Sequence, residues 1–485
     1  MKMKNKYGGN VKELTLMLLF SFLCLGTLFL SSATFVNTQI TAKWYCFFWG
    51  FSAFILNYVL YSFFLGKIQL RNTISVFCLI ITGLCTIQAL YGILQCVGIF
   101  PAVGGFRITG SFDNPAGFAA CLCAGFPFSF YFVRKEYVWQ RWLSLTAVVI
   151  LCIAVILSAS RAGIIALFVV ALFMVFYRFK IKTKLKISIL SLSFVLALSG
   201  LYFLKKDSAN GRLLIWRCTY EMIKDKPIHG FGYGGFKANY MNYQARYFEE
   251  HPDSKYAMLA DNVNRPFNEY LLLFVNFGVF GLLVLILMLY RFWQIYKYNT
   301  HKTLLEYRAY WCLLSIAVFS LFSYPLTYPF VWVMGLSSMT ILFYPLWRTQ
   351  KKMFYALRPV IILFLLFVGY MTYDRMITEM KWCKIAHKSL AGQTKQMLPE
   401  YQSLYGKLQN NELFLYNYAA ELNVVNQYEK SLKIAHECEQ LWADYDLQML
   451  IADNYQKKLQ YKEAEFHYIK AANMCPVKFI PLYLY

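Results

Sequence analysis

The sequence predicts an all-α chain: a polytopic helical membrane domain followed by a small soluble helical-repeat domain. Three observations predict it. Long apolar runs recur through the first 373 of 485 residues. Hydrophobic residues make up 59% of the chain against 15% charged, with a mean hydropathy of +0.43, above the roughly 45–50% apolar content of soluble domains. From Asp374 the apolar runs stop and a repeat of helical character begins.

A helix needs about 17–25 mainly apolar residues to cross a bilayer. Runs of that kind lie near 14–33, 44–65, 73–99, 116–133, 142–158, 162–178, 185–204, 268–290, 310–325, 328–346 and 357–373, which predicts about eleven transmembrane helices. The first run follows Lys2, Lys4, Lys6 and Lys12 and ends near Ser31, Ser32 and Ala33, so it also has the form of a signal peptide. Its length and the ten runs after it favour a retained helix.

The charges set an orientation. With the N-terminus in the cytoplasm, the inner segments hold 22 Lys and Arg against three acids, the excess that the positive-inside rule expects. The outer segments hold 13 basic and nine acidic residues, nearly all in one long loop, 205–267. Most of the formal charge of +23 is therefore a topological signal, and nucleic acid is excluded as a partner. Disorder is excluded by the abundance of apolar residues. The 13 cysteines fall mostly inside apolar runs, without metal-ligand spacing, and read as small buried hydrophobes. No metal site and no cofactor is expected. The domains are thus 1–373, multispanning with the outer loop 205–267, and 374–485 on the outer side.

In the tail the segment from Ala419 to Leu432 aligns with that from Ala452 to Glu465 at a period of 33. Each unit reads as helix, turn, helix, with Ala464 and Ala471 at contact positions and Pro476 closing the second. A third, degenerate unit is expected around 383–410. The pattern resembles tetratricopeptide repeats, and such surfaces bind proteins or peptides. A plain pair of helical hairpins is the alternative.

Arginines in short loops at a membrane surface are costly and mark functional candidates. Arg107 precedes the turn-forming Gly110-Ser111-Phe112-Asp113-Asn114-Pro115, and Arg161 lies in the tight turn Ser158-Ala159-Ser160-Arg161-Ala162-Gly163. The long loop holds Arg212, Trp216, Arg217 and Arg265, with Pro227-Ile228-His229-Gly230-Phe231-Gly232-Tyr233-Gly234-Gly235 between them. A guanidinium presents a planar fork of fixed charge that grips two phosphate oxygens. Arg107, Arg161, Arg212, Arg217 and Arg265 are therefore the candidate ligands of a diphosphate headgroup whose lipid tail stays in the bilayer. For Arg161 and Arg107 the alternative is snorkelling to the interface. For Arg217 it is an ion pair with Glu221, four residues on. The run of Gly230, Gly232 and Gly234 lacks a βαβ context and reads as a turn leading into a helix.

These residues, in this order, resemble the bacterial O-antigen ligase superfamily, which includes O-antigen polymerases and protein O-oligosaccharyltransferases. The resemblance covers about 70–345 and rests on Gly110 through Asn114 and Pro115, on Ser160-Arg161-Ala162-Gly163, and on Arg212 with Trp216. It continues through Gly230, Gly232 and Gly234 to Asn268-Glu269-Tyr270-Leu271 and Phe277-Gly278-Val279-Phe280-Gly281. It implies a metal-independent glycosyltransferase that moves a glycan from an undecaprenyl-diphosphate carrier to a lipid A core, glycan or protein acceptor at the periplasmic face. Arg161 and Arg212 would hold the diphosphate as it leaves. Family members carry a histidine, the candidate base, directly before the Asn-x-x-Leu helix. Here that position is Phe267. Glu269 is the foremost substitute base, ahead of Asp261, His251 and His229. The alternative function is a non-catalytic scaffold in surface-polysaccharide assembly whose tail recruits a protein partner. A transporter fits less well, because carboxylates are scarce within the spans.

Overall fold

A computed structural model describes residues 4–64, 73–134, 137–179, 182, 184–186, 188–189, 191, 206–299, 302–349 and 351–478. Every regular element among the described residues is helical. The chain divides into two compact units, one of residues 1–198 and 292–376, the other of 199–291 and 377–485.

The first unit contains α1 (Lys4–Phe29), α2 (Thr41–Phe64), α3 (Thr73–Cys96), α4 (Pro115–Ser129), α5 (Val138–Leu157) and α6 (Arg161–Arg178). Later in the chain come α10 (Leu304–Ser320) and α11 (Pro329–Thr349). The centre is α4, buried from Gly117 to Ser129 and packed by α3, α5, α6, α10 and α11. Its small residues explain the position, since without a hydrophobic drive between spans, close backbone approach supplies the cohesion. A methyl at Gly125 would overlap Cys85 Sγ, and one at Gly117 the Tyr328 ring. Ser315 Oγ of α10 donates to the Cys123 carbonyl at 2.9 Å.

Six helical stretches among the described residues are long and apolar enough to cross a membrane: Ile74–Cys96, Pro115–Val133, Val138–Leu157, Arg161–Arg178, Glu269–Tyr298 and Leu357–Leu408. Shorter apolar stretches occupy Glu13–Phe29 and Pro329–Tyr344. Most of the expected run 185–204 lies outside the described residues.

The second unit holds α7 (Lys206–Asp225), α8 (Gly235–Glu250) and most of α9 (Glu269–Tyr298). Its C-terminal part contains the end of α12 (Lys351–Lys388), then α13 (Thr394–Leu408), α14 (Glu412–Val424), α15 (Tyr428–Glu439), α16 (Tyr445–Lys457) and α17 (Tyr461–Met474). Each helix of the last pair starts 33 positions after its counterpart, Glu412 to Tyr445 and Tyr428 to Tyr461. The turn between partners passes through the left-handed region at equivalent places, Asn426 (φ 62°) and Leu459 (φ 61°). Asn411 and Asp444 cap α14 and α16 with their side-chain oxygens.

Two cores hold this unit together. One runs from Trp382 and Ile385 through Tyr401, Phe414, Leu422 and Leu432 to Leu447 and Ile451. The other joins α7 and α8 (Leu214, Cys218, Met222, Phe236, Tyr240) to the tail (Ala443, Tyr445, Ala471, Met474, Cys475). The segment 206–250 and the C-terminal helices therefore share buried surface. All 13 cysteines are free, ten of them buried.

Candidate functional site

The candidate residues fall in both units, and each group has its own geometry. In the first unit the Gly110–Pro115 turn is held from several sides. Gln95 Oε1 accepts from the Thr109 and Gly110 amides at 3.1 and 2.7 Å, and Gln95 Nε2 donates to the Gly110 carbonyl at 3.0 Å. Gly110 has φ 56°, and a methyl there would strike Gln88 and Phe118, so no other residue fits. Ser111 Oγ donates to the Leu28 carbonyl. Asn114 caps α4 by accepting from the Gly117 amide at 2.9 Å, and Pro115 takes the first helical position, where no amide is needed. The Asn114 amide donates to Tyr328 Oη at 2.8 Å, and Tyr328 donates to Asp113 Oδ1 at 3.2 Å. Burial pushes the Asp113 carboxyl up from its ordinary value, against the pull of these hydrogen bonds.

Lys43 is the residue of this region that sequence reasoning missed. Placed just ahead of an apolar run, it reads as an interface anchor. Instead it is fully buried, and its ammonium donates to the carbonyls of Leu30, Gln39 and Ser111 at 2.9, 2.8 and 2.8 Å. It thereby ties the C-terminal end of α1 to the motif turn, with the Phe112 ring 5.1 Å away.

Arg161 opens α6, half-buried, behind the cap Ser160, whose Oγ accepts from the Gly163 amide at 3.3 Å. Gly163 brings α6 against α4, since a methyl there would stand 3.0 Å from the Ala119 side chain. Arg161 and the Asp113–Asn114 turn therefore lie at the same end of the α4–α6 pair. Arg107 is exposed in the loop ahead of the turn.

In the second unit the side chain of Arg212 lies on α7, its guanidinium 5.3 Å above the Phe267 ring. Phe267 has φ 54°, a left-handed backbone uncommon for a bulky residue and a mark of strain held by its surroundings. Those surroundings are visible on both sides. Trp216 Nε1 donates to the Pro266 carbonyl at 2.8 Å, and Asn268 Oδ1 caps α9 by accepting from the Tyr270 and Leu271 amides at 2.9 and 3.1 Å. The Phe267 ring is thus fixed beneath an arginine. Arg265 and Glu269 flank it, both half-buried. Glu269 is the first residue of α9, where the positive end of the helix favours a negative side chain.

Arg217 does not face Glu221. Glu221 pairs with Lys224 at 3.0 Å, and Arg217 lies 5.1 Å over the Tyr247 ring, which also stacks with His251. His229 stacks on Phe280 at 5.2 Å. Neither histidine is placed against Arg212 by any of these contacts. Asp261 is exposed, and its carboxylate accepts from the Asn262 amide at 2.8 Å.

The glycine run has a partner that the sequence did not reveal. Its backbone lies against a break in α9 at Gly278 (φ 59°, ψ −151°). Phe231 N donates to the Val275 carbonyl at 2.8 Å, Gly232 N to the Asn276 carbonyl at 2.8 Å, and Val279 N to the Pro227 carbonyl at 3.0 Å. A methyl at Gly230 would overlap the Asn276 backbone, and one at Gly278 the Ile228 carbonyl. Gly234, at φ 78°, leads into α8. The two glycine motifs form one backbone latch. Among the described residues, no three His, Cys, Asp or Glu side chains gather as a metal site.

A comparison with curated proteins finds no match. Residues 146–286, from α5 to within α9 and including Arg161, Arg212, Arg217, Arg265, Phe267 and Glu269, match the sequence model of the O-antigen ligase family, whose members act in glycan transfer during polysaccharide assembly.

Proposed function

We propose that this chain transfers a glycan from an undecaprenyl-diphosphate carrier to an acceptor hydroxyl at the periplasmic face of a bacterial inner membrane. The observation that carries the reading is Arg212, held over Phe267 within the stretch that matches the O-antigen ligase family. The acceptor oxygen attacks the anomeric carbon, and the bond from that carbon to the phosphate oxygen breaks. Its electron pair leaves on the diphosphate. Negative charge grows there, and the fixed cations Arg161 and Arg212 lower the barrier by meeting it. Arg107, Arg217 and Arg265 are secondary ligands, and the hydroxyl proton passes to Glu269.

The finer topology belongs to the same proposal: about eleven spans, a cytoplasmic N-terminus, and a periplasmic tail of tetratricopeptide-like repeats that meets a protein partner or acceptor. A lipid A core, a growing glycan and a protein are the acceptor classes. The test is purified protein in lipid nanodiscs with labelled undecaprenyl-diphosphate-linked glycan and each acceptor class. Labelled product that disappears with Glu269→Gln supports the mechanism, and absence of transfer to any class refutes it. One observation favours a second reading, a non-catalytic scaffold: a phenyl ring occupies the position of the family's base. Under that reading the variant changes nothing and a deletion strain loses surface polysaccharide without loss of transfer activity.

A further inference from the structure

The segment between α8 and α9 carries Arg265, Phe267 and Asn268 with no regular structure of its own after Leu259. Its geometry must come from neighbours, and the contacts name them. Gln244 of α8 donates to the Asp261 carbonyl at 3.2 Å, and the same amide donates to the Met474 carbonyl at the end of α17 at 2.7 Å. Asn262 Oδ1 accepts from the backbone amide of Tyr445 at 3.2 Å. Asn264 Oδ1 accepts from Trp442 Nε1 at 3.0 Å. Only then does α7 take over, with Trp216 on Pro266 and Arg212 on Phe267.

Trp442 is itself fixed. It is 8% exposed, packs edge-on to Tyr416 at 5.8 Å, and has the Lys237 ammonium 5.5 Å over its ring. Lys237 pairs with Glu412, and its carbonyl accepts from the Ala443 amide at 3.1 Å. The turn between α15 and α16 is therefore a rigid surface facing the 261–268 segment.

We infer that Trp442 is a positioning residue for the transfer site: through Asn264 the C-terminal helices set the backbone that presses Phe267 against Arg212. The tail then acts in the reaction itself, besides any partner it binds. This rests on the transfer reading above. A left-handed Phe267 persists only where its surroundings over-determine it, and the Trp442–Asn264 contact is one of those surroundings.

The test uses the full-length protein in nanodiscs. Trp442→Phe keeps the ring on Tyr416 and Lys237 but removes the N–H, Asn264→Ala removes the acceptor, and Asn264→Asp keeps it. Hydrogen exchange at 262–268 should quicken about tenfold in the first two, with α14–α17 unchanged, as a local opening requires. The donor KM should rise about fivefold, an effect of misplacement that a smaller folded fraction cannot produce. Asn264→Asp should stay near wild type, and the Phe–Ala double variant should be no worse than either single one, as coupled partners behave. Unchanged exchange at 262–268 in Trp442→Phe overturns the inference whatever the activity. Quicker exchange in a protein without wild-type transfer overturns the transfer reading instead, and leaves the dependence of the segment on Trp442 established.

Discussion

Replacing Phe267 by histidine places a proton acceptor where the O-antigen ligase resemblance expects one. The substitution suits the backbone, because histidine adopts the left-handed region several-fold more readily than most residues, and Phe267 sits at φ 54°. The new ring would lie under the Arg212 guanidinium, 5.3 Å from the present ring centre. At that distance a fixed positive charge disfavours the imidazolium by about 1 kcal/mol in water and about 3 kcal/mol at an effective dielectric of 20. That lowers the imidazole pKa by about one to two units from its ordinary value of about 6.5. The ring is then neutral and basic at pH 7. Positioned general bases contribute about 10²–10⁴-fold, so in a Glu269→Gln background, where the proposed base is gone, Phe267→His should raise turnover of lipid-linked glycan at pH 7 by about 10²-fold. The pH profile should inflect near 5. A double variant no faster than Glu269→Gln alone, or an inflection above 6.5, would refute the reasoning.

Other consequences follow from the same contacts. Gly278→Ala puts a methyl into the Ile228 carbonyl at a backbone conformation only glycine adopts. It should cost at least about 3 kcal/mol, read as a lower melting temperature and loss of the latch. Lys43→Met leaves three carbonyls without their donor in a buried site and should destabilise the first unit by about 3 kcal/mol, measured by thermal unfolding in detergent. The C-terminal helices should weaken in acid. Burial lowers the His467 pKa to about 4, so its fold-favoured form is neutral. Its contribution is full above the unfolded value near 6.5 and is lost as pH falls toward 4, up to about 3 kcal/mol. Burial opposes ionisation of Glu439, but hydrogen bonds from His436, Lys470 and Gln448 hold its carboxyl well below the usual range, which adds to the loss at lower pH. His467→Gln should flatten the melting-temperature profile between pH 6.5 and 4, and an unchanged profile would contradict the assignment.

Local patterns were legible in the sequence. Apolar runs mark helices because a bilayer leaves a span no other way to satisfy its backbone, and the 33-residue spacing marks the paired helices of the tail. The turns expected at Gly110–Pro115 and Ser158–Gly163 fall where α4 and α6 begin. What stayed hidden depends on partners far apart in the chain. Trp442 meets Asn264 across 178 residues and Gln244 meets Met474 across 230, and no periodicity records such pairs. Lys43 was hidden for a different reason: a lysine beside an apolar run looks the same whether it snorkels or turns inward onto carbonyls. The positive φ of Phe267 had no signal either, since phenylalanine does not advertise it as glycine does.

The central claim is that fixed arginines stabilise a departing diphosphate. Its most direct test is the single-turnover rate of glycan transfer from undecaprenyl-diphosphate donor by wild type, Arg161→Ala and Arg212→Ala, each checked for wild-type melting. Removing one donor aimed at a growing negative charge should slow the chemical step by about 10²–10³-fold, and both variants should show it. Rates equal to wild type in the two folded variants would contradict the account.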